Sequence, residues 1–331
     1  MKQGSIIIRG VGSYLPRKVL TNHDLASMVD TSDEWIRTRT GISQRHIADA
    51  HETCSDLAYA AAKNALEDAQ LKAQDIDLLV VATITPDMIC PSSAAILQAK
   101  LGLRNVMSFD INAACSGFLY TLEVATYLLQ NGNFYKRALV IGAEKLSSLT
   151  DWEDRSTCVL FGDAAGAFVL EHTSAELVGI RDAILGADGS SSETLYIPAG
   201  GSLHPATAET VAQRQHFIKM NGKELFKASV RLMGKAVEEL LERNHLTKAD
   251  VACLIPHQAN LRIIQSLAQS IDLPMDRVFC NLEVTGNTSS ASIPVAFTQA
   301  KNAHYFHSGD YIVLVAFGGG LTWGATLIKW P

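Results

Sequence analysis

The feature that most constrains the fold of this 331-residue chain is an internal repeat with a period of about half its length. When 173 is added to the residue numbers, the apolar segment 78–82 falls on the apolar segment 251–255. With the same offset, segment 139–142 falls on segment 312–315. Matches in one register and in one order indicate two copies of a structural unit.

Continuous apolar runs of four to eight residues are typical of strands buried on both faces, and helical patterns lie between them. The sequence therefore predicts an α/β fold in which two sheets are buried between layers of helices. We divide the chain into an N-terminal half, residues 1–173, and a C-terminal half, residues 174–331. At an offset of 172, Cys115 falls on Asn287, and both stand in runs of small residues. Symmetry is expected to bring these two positions together at the centre.

Residues 110–118 place one cysteine among small residues, where an extended segment becomes a helix. Apolar residues follow at helical spacing, and a stop signal ends the pattern: Phe118, Leu122, Ala125, Leu129 and then Asn131-Gly132. At a helix N-terminus, free N–H groups and the helix dipole are expected to lower the pKa of the Cys115 thiol. The ordinary alternative is a buried structural cysteine, which is common in proteins.

Three further motifs follow predicted strands or form tight turns, where functional groups are often held. His257 follows the strand that ends at residue 255, and Asn287 follows a glycine. Three glycines at 318–320 follow a strand and would let a backbone N–H approach a ligand closely. Taken singly, each motif has an ordinary explanation as a cap, a turn or a flexible loop.

Composition excludes several classes of protein. Hydrophobic residues make up 47% and charged residues 19%, with a net charge of −6, which gives no basic footprint for nucleic acid. The six cysteines, at 54, 90, 115, 158, 253 and 280, include no C-x-x-C pair and no disulfide-like spacing. We therefore expect a reducing, cytoplasmic compartment and no metal site. No apolar stretch reaches the length of a membrane span, and the first residues lack the apolar run of a signal peptide.

Taken together, these motifs resemble those of the β-ketoacyl-acyl carrier protein synthase III family of thiolase-like condensing enzymes. The resemblance runs through the whole chain and rests on segments 113–118, 256–262, 286–289 and 317–324, together with 33–36, 39–42 and 161–167. It implies a duplicated thiolase-like fold of five layers (αβαβα) and a homodimer. It also implies a decarboxylating condensation of a short acyl-CoA, expected to be acetyl-CoA, with malonyl-acyl carrier protein, initiating fatty acid synthesis. No cofactor is implied, since acyl-CoA is a substrate.

The resemblance assigns a Cys-His-Asn triad to Cys115, His257 and Asn287. Cys115 would be the acylated nucleophile, since a thiolate suits thioester exchange. The N–H groups of Cys115 and Gly319 would form the oxyanion hole. His257 Nε2 and the Asn287 amide would stabilise the enolate formed by decarboxylation, with no proton abstraction. Phe317 would shape the cavity, or serve as plain core packing.

The resemblance also implies a binding face. Trp35 and Arg155 match positions that stack on the adenine of CoA, and a planar guanidinium suits that role. The basic residues Arg39, Lys227 and Arg262 match positions for CoA phosphates or the acidic carrier protein. Two positions depart from some relatives: Gln269 replaces a basic residue, and Cys90 replaces a bulky aromatic that limits the primer pocket.

Three alternatives stay open. A related condensing enzyme could use another acyl-CoA to make a polyketide, quinolone or 3-ketoacid signal. A cysteine hydrolase would instead release the acyl group to water and would need a general base. A non-catalytic acyl-binding member would form no adduct at Cys115. Elongating synthases use two histidines and thiolases a second cysteine, so Asn287 argues against both.

Overall fold

The computed structural model describes residues 4–131, 134–174 and 178–331. Gly132 of the predicted stop signal lies outside these ranges. The strands are β1 (Ser5–Tyr14), β2 (Lys18–Thr21), β3 (Gln44–Ile47), β4 (Leu78–Ala82), β5 (Met107–Ile111), β6 (Arg137–Glu144), β7 (Ala164–Thr173), β8 (Gly179–Ala187), β9 (Leu195–Tyr196), β10 (Lys219–Met220), β11 (Val251–Pro256), β12 (Tyr311–Gly318) and β13 (Thr322–Lys329).

The helices are α1 (Asn22–Ala26), α2 (Asp33–Thr40), α3 (Cys54–Ala69), α4 (Ser93–Lys100), α5 (Gly117–Asn131), α6 (Arg155–Cys158), α7 (Ala208–Ala212), α8 (Gly222–Arg243), α9 (Leu261–Ser270), α10 (Leu282–Thr285) and α11 (Ser292–Asn302). Short 3₁₀ turns precede α5 and α11, at Ala114–Ser116 and Ser289–Ala291. No described helix is long and apolar enough to cross a bilayer.

Strand order repeats in the two halves of the chain. The large sheet has the order β11-β12-β13-β8-β1-β7-β6-β4-β5, and its two parts meet where Ile6 of β1 pairs with Ile180 of β8. In one part β4 and β6 are parallel and β7 is antiparallel to β6; in the other, β11 and β12 are parallel and β13 is antiparallel to β12. The duplicated α/β fold is confirmed, while the boundary at residues 173 and 174 stays a prediction.

Two helices lie between the two parts of the sheet. Helix α5 packs against β4 and β6 of one part and against β8, β12 and β13 of the other. Helix α11 packs against β1 and β7 on one side and β11 on the other. Outside them, α3 covers β1, β6 and β7, and α8 covers β8, β12 and β13. Two outer helix layers, two sheet parts and a central helix layer therefore make five layers.

Aromatic packing fills the central layer. Phe118 of α5 lies 4.9 Å from Phe168 of β7, and Phe168 lies 4.8 Å from Phe297 of α11, measured between ring centroids. All three rings are fully buried. The four apolar residues predicted to form one face of α5 are fully buried as well. This core fixes the start of α5, which follows the turn that holds Cys115. It also fixes the start of α11, which follows Asn287 and the next 3₁₀ turn.

Residues 186–205 include several Gly, Ser and Pro residues, a composition typical of a loop, but the segment is only partly irregular. It contains a 3₁₀ segment, Gly189–Thr194, and the strand β9, which pairs with β10. Each of these two strands is two residues long, too short to give a periodic pattern in the sequence. Three of their four residues, Leu195, Tyr196 and Met220, line cavities beside Cys115.

Candidate active site

Two cavities share Cys115 in their walls. The smaller, which we call the central cavity, has a volume of about 40 Å³ and is lined by Cys115, His257, Asn287, Phe317, Gly318, Phe161, Leu195, Met220, Leu225, Ser229, Met233, Ala259 and Ile263. The larger, the apolar cavity, has a volume of about 240 Å³ and is lined by Ile84, Asn112, Ala114, Cys115, Leu146, Phe161, Leu195, Tyr196, Ile197, Ile218, Ser289 and Gly319. The fold thus brings the three predicted triad residues into one cavity.

Cys115 lies in the 3₁₀ turn between β5 and α5. The turn is held against β12 so closely that a Cβ added to Gly318 would lie 2.6 Å from the Cys115 nitrogen. Only glycine permits this backbone approach. Cys115 is 6% exposed, and burial raises the pKa of its thiol to about 12. The lowered pKa predicted from the helix start is therefore wrong for the folded chain, since loss of solvation outweighs the helix dipole.

His257 is the first residue after β11. Its N–H donates to Val315 O at 2.7 Å, and its Nδ1 lies 2.6 Å from Ser292 Oγ. The Gln258 N–H also donates to Ser292 Oγ, at 3.5 Å, so the hydroxyl proton is free to point at Nδ1. This arrangement favours the tautomer with its proton on Nε2. Burial lowers the pKa of His257 to about 4, which keeps the ring neutral near pH 7.

Asn287 is held by its backbone and by its side-chain oxygen. Its N–H donates to Leu160 O at 2.8 Å, and its carbonyl accepts from the Gly162 N–H at 2.9 Å. The Ser289 N–H donates to Asn287 Oδ1 at 2.9 Å. Since a backbone N–H can only donate, this bond identifies the oxygen of the amide and leaves Nδ2 as its free donor. Asn287 thus presents an N–H group that cannot titrate.

The site therefore combines a buried thiol with two neutral N–H donors. Such donors, fixed in a cavity shielded from water, stabilise an oxygen on which negative charge develops. Gly319 lies in the wall of the apolar cavity with Cys115, and Phe317 is 4% exposed in the wall of the central cavity. The structure thus brings the predicted oxyanion and cavity-shaping positions beside the thiol.

The predicted CoA residues lie together around α2. The guanidinium carbon of Arg155 is 5.0 Å from the centroid of the Trp35 ring, and that of Arg39 is 5.6 Å from it. Arg155 Nη1 donates to Asp30 O at 2.8 Å, which orients its side chain. Arg262 Nε donates to Thr38 O at 3.1 Å, which places this residue beside the same helix. We call Trp35, Arg39, Arg155 and Arg262 the Trp35 cluster.

Two predicted residues lie apart from these groups. Lys227 is exposed on α8 and forms no hydrogen bond, ion pair or cation–π contact with a described residue. Cys90 is exposed and is absent from the walls of both cavities. Within one chain Cys90 therefore does not border the apolar cavity, and its predicted influence on the choice of primer stays a prediction.

Some candidate residues were missed by reasoning from the sequence. Ser292, which contacts His257, carries no signal beyond its place in a run of small residues. On α8, Lys223, Arg231 and Lys235 extend the row that contains Lys227, and all four are exposed. Their spacing of four residues puts them on one helix face, a signal that was readable in the sequence. Among the described residues, no group of three or more His, Cys, Asp or Glu could hold a metal ion.

Comparison with known proteins gives consistent matches. The family described as 3-oxoacyl-[acyl-carrier-protein] synthase III matches residues 109–189, and its C-terminal family matches residues 241–330. The beta-ketoacyl-[acyl-carrier-protein] synthase III of Caldanaerobacter subterraneus is 52% identical over 323 residues, covering 98% of this chain and 97% of that protein.

Solved structures match over similar lengths. The crystal structure of 3-oxoacyl-[acyl-carrier-protein] synthase III from Aquifex aeolicus has a TM-score of 0.90 at 46% identity, covering 98% of this chain and 100% of that one. The priming beta-ketosynthase of the R1128 polyketide pathway has a TM-score of 0.91 at 33% identity, covering 100% and 97%.

The low pKa of His257 predicts a pH-dependent loss of stability. The histidine of the unfolded chain has a pKa of about 6.5, so between about pH 7.5 and pH 5 it binds a proton that His257 of the folded chain does not bind. The free energy of unfolding therefore decreases as the pH is lowered over this range. We expect wild type to lose about 2 kcal/mol more than His257→Asn over this range. Urea denaturation at both pH values measures it, with exposed His51→Asn as control. Equal losses in wild type and His257→Asn would show that the histidine is not held neutral.

Proposed function

The chain belongs to the 3-oxoacyl-[acyl-carrier-protein] synthase III family, and we propose that Cys115, His257 and Asn287 carry out its reaction. It is an acyltransferase that catalyses the condensation initiating fatty acid synthesis. Its substrates are an acyl-CoA and an acyl carrier protein. The observation that carries the proposed residue roles is the convergence of one thiol and two fixed neutral donors on one cavity.

In the first step, Cys115 Sγ attacks the thioester carbonyl of the acyl-CoA. The sulfur–acyl bond to Cys115 forms, the bond to CoA breaks, and the thiol proton leaves with the CoA sulfur. The Cys115 and Gly319 N–H groups stabilise the tetrahedral oxyanion. Because burial raises the pKa of the thiol, its proton is lost as the bond to carbon forms rather than before it.

In the second step, malonyl-acyl carrier protein occupies the central cavity. The bond to its carboxylate breaks and carbon dioxide leaves, so an electron pair passes to the carbon beside the thioester. His257 Nε2 and Asn287 Nδ2 donate hydrogen bonds to the thioester oxygen as it gains charge. The carbanion then attacks the acyl carbonyl, and Cys115 leaves as a thiolate. Both donors are neutral, so neither must lose a proton for this step.

The apolar cavity is the proposed place for the acyl group. It opens at Cys115, and the side chains of Ile84, Leu146, Phe161, Ile197 and Ile218 line it. One water occupies about 30 Å³ of liquid, so a volume of about 240 Å³ exceeds what an acetyl group needs. We propose acetyl-CoA as primer, with room for acyl chains a few carbons longer.

The Trp35 cluster is the proposed site for the nucleotide of CoA. An adenine would enter between the Trp35 ring and the Arg155 guanidinium, two flat groups that already face each other. Arg39 would bind a phosphate beside them. Tethering of Arg155 to Asp30 keeps one face of the sandwich in place as the gap opens.

The row of basic residues on α8, Lys223, Lys227, Arg231 and Lys235, is the proposed docking ridge for the acidic carrier protein. The opposite face of the same helix lines the central cavity with Leu225, Ser229 and Met233. A carrier protein on this ridge would therefore hold its substrate near the cavity. Arg262, at the start of α9, would extend the positive surface. Such docking depends on long-range charge and weakens with salt.

We further propose a homodimer, acting in the cytoplasm without a metal or bound cofactor. Strand β5 is the last strand of the large sheet, and Met107 at its start is 43% exposed. Ile89 is 91% exposed in the loop that holds Cys90. An open strand edge with apolar residues nearby is suited to pairing with a second copy. Sedimentation is expected to give twice the mass of the chain; one-chain mass at every concentration would contradict it.

A second candidate function is the priming step of a polyketide pathway. The R1128 priming ketosynthase shares the fold along the full length of this chain. A priming ketosynthase would use the same residues with a different acyl-CoA. The apolar cavity is compatible with this function because its volume of about 240 Å³ leaves room for an acyl group larger than acetyl. The identity of the preferred primer separates the two.

The proposed function is tested by intact-mass analysis with a panel of acyl-CoAs, followed by malonyl-acyl carrier protein. We expect an adduct that maps to Cys115, that is absent in Cys115→Ala, and that passes into a β-ketoacyl-acyl carrier protein. Loss of the adduct as free acid would favour a hydrolase. No adduct with any acyl-CoA would favour a non-catalytic binding protein.

The docking ridge gives a separate prediction. Arg231→Glu and Lys235→Glu should each raise the KM for malonyl-acyl carrier protein, by about fivefold at low salt and less at high salt, because a repulsive charge replaces an attractive one. Acyl transfer from acyl-CoA to Cys115 should be unchanged. Lys63→Glu, an exposed lysine on α3, is the matched control. A KM that does not differ from the control would remove α8 from the docking surface.

A further inference from the structure

Glu144 is a buried acid that the proposed reaction does not use. It is the last residue of β6 and has no exposed surface. No described residue forms an ion pair with it, and the hydrogen bonds it makes are to hydroxyl and backbone groups. A buried carboxylate without a cation is costly, whereas a neutral carboxylic acid is tolerated if its polar atoms are bonded.

One carboxyl oxygen, Oε2, only accepts hydrogen bonds. The Thr85 hydroxyl donates to it at 2.9 Å, the Ile84 N–H at 3.1 Å and the Thr83 hydroxyl at 3.2 Å. Thr85 Oγ1 itself accepts from the Lys145 N–H, which leaves its own proton for Glu144. Oε2 therefore has the surroundings of a carbonyl oxygen.

The other oxygen, Oε1, accepts a long hydrogen bond from the Ser290 N–H at 3.4 Å and lies 2.7 Å from Ser290 Oγ. Ser290 Oγ also lies 2.9 Å from Ala82 O, a backbone carbonyl that can only accept. A serine hydroxyl has one proton, so it cannot donate to both oxygens. If Ser290 donates to Ala82, the proton between Ser290 and Glu144 must come from the acid.

Ser290 connects this acid to the site. The preceding residue, Ser289, donates its N–H to Asn287 Oδ1, the bond that orients the Asn287 amide. The same turn is pressed onto β6, where a Cβ added to Gly142 would lie 2.4 Å from Ser290 O. The Ser289 hydroxyl is buried without a hydrogen-bond partner, near enough to Cys115 and Glu144 to influence the pKa of each. Displacement of Ser290 would therefore move the Asn287 amide and also Ser289, which lines the apolar cavity with Cys115.

We propose that Glu144 is a protonated positioning residue that donates to Ser290 Oγ and so holds the Ser289–Ala291 turn, with the Asn287 amide, in its working orientation. This inference rests on the proposed role of Asn287 in decarboxylation. Burial independently raises the pKa of the Glu144 carboxyl. Two thiols lie near it, Cys115 beyond Ser289 and Cys54, whose Sγ is 3.4 Å from Thr83 Oγ1. The ammonium group of the adjacent Lys145 is bonded instead to the carbonyls of Asp49 and Glu52. A neutral acid here avoids opposing the negative charge that Cys115 carries as a leaving group.

The test uses two variants of the full-length protein, Glu144→Gln and Glu144→Leu. Glutamine can reproduce both the donor and the acceptor, whereas leucine has similar bulk and neither. We expect Glu144→Gln to decarboxylate malonyl-acyl carrier protein within about threefold of wild type, and Glu144→Leu to lose at least about tenfold in kcat with little change in KM. Ser290→Ala should lose activity in the same direction while still being acylated at Cys115.

Two readouts report the protonation state without turnover. The pH profile of Cys115 alkylation by iodoacetamide should be the same in wild type and Glu144→Gln, because a neutral group replaces a neutral group. Infrared difference spectra between the two proteins should show the carbonyl band of a protonated carboxylic acid in wild type only. Asp163→Asn is the control: Asp163 is equally buried, but its carboxylate accepts from the Ala48 N–H and from the N–H and hydroxyl of Ser147, and none of these bonds is to the Ser289–Ala291 turn.

A shift of the alkylation profile toward lower pH by about half a unit or more in Glu144→Gln, with no protonated-acid band in wild type, would overturn the proposal, since it would show a charged carboxylate. Equal activity of Glu144→Leu and wild type would overturn the positioning role. Wild type that does not decarboxylate malonyl-acyl carrier protein would instead refute the proposed function. The alkylation profile and the infrared spectrum would still report whether Glu144 is protonated.

Discussion

At the centre of the molecule, the two turns that start the buried helices α5 and α11 are packed by backbone contact rather than by side chains. A Cβ added to Gly318 would lie 2.6 Å from the Cys115 nitrogen, and a Cβ added to Gly142 would lie 2.4 Å from Ser290 O. Close packing of this kind leaves no room for adjustment, so small shifts in the core change the site directly. The positions of Cys115 and Asn287, and through Ser292 that of His257, all depend on it.

Burial at this centre determines the protonation of the site. The pKa of Cys115 is raised to about 12, that of His257 is lowered to about 4, and that of Glu144 is raised. Each shift has the same cause, which is that a charged form loses its solvation. Cys115 and His257 are therefore neutral together near pH 7, and charge is expected there only when the reaction creates it. Neutral donors are then better suited than acids or bases to stabilise that charge.

Much of this was predictable from the sequence because strand ends and glycines mark the site. The repeat gave the equivalence of Cys115 and Asn287, and His257 followed a recognisable strand. The partners that orient these groups were not predictable: Ser292 and Glu144 reach them through folding, and neither has a distinguishing pattern. The thiol pKa was predicted in the wrong direction because a helix start is visible in sequence, whereas the depth of burial is not. Cys90 stands where some relatives have a bulky aromatic that limits the primer pocket, but it lies outside the walls of both cavities, and its distance from them could not be read from the sequence.

The central claim is that His257 and Asn287 stabilise the enolate independently of the nucleophile. It is tested most directly by measuring release of carbon dioxide from malonyl-acyl carrier protein in variants that cannot condense. The account predicts that Cys115→Ala still releases carbon dioxide, and that adding Asn287→Ala lowers this rate by on the order of a hundredfold, the usual effect of losing one such donor. Equal rates with and without the Asn287 amide would contradict the account.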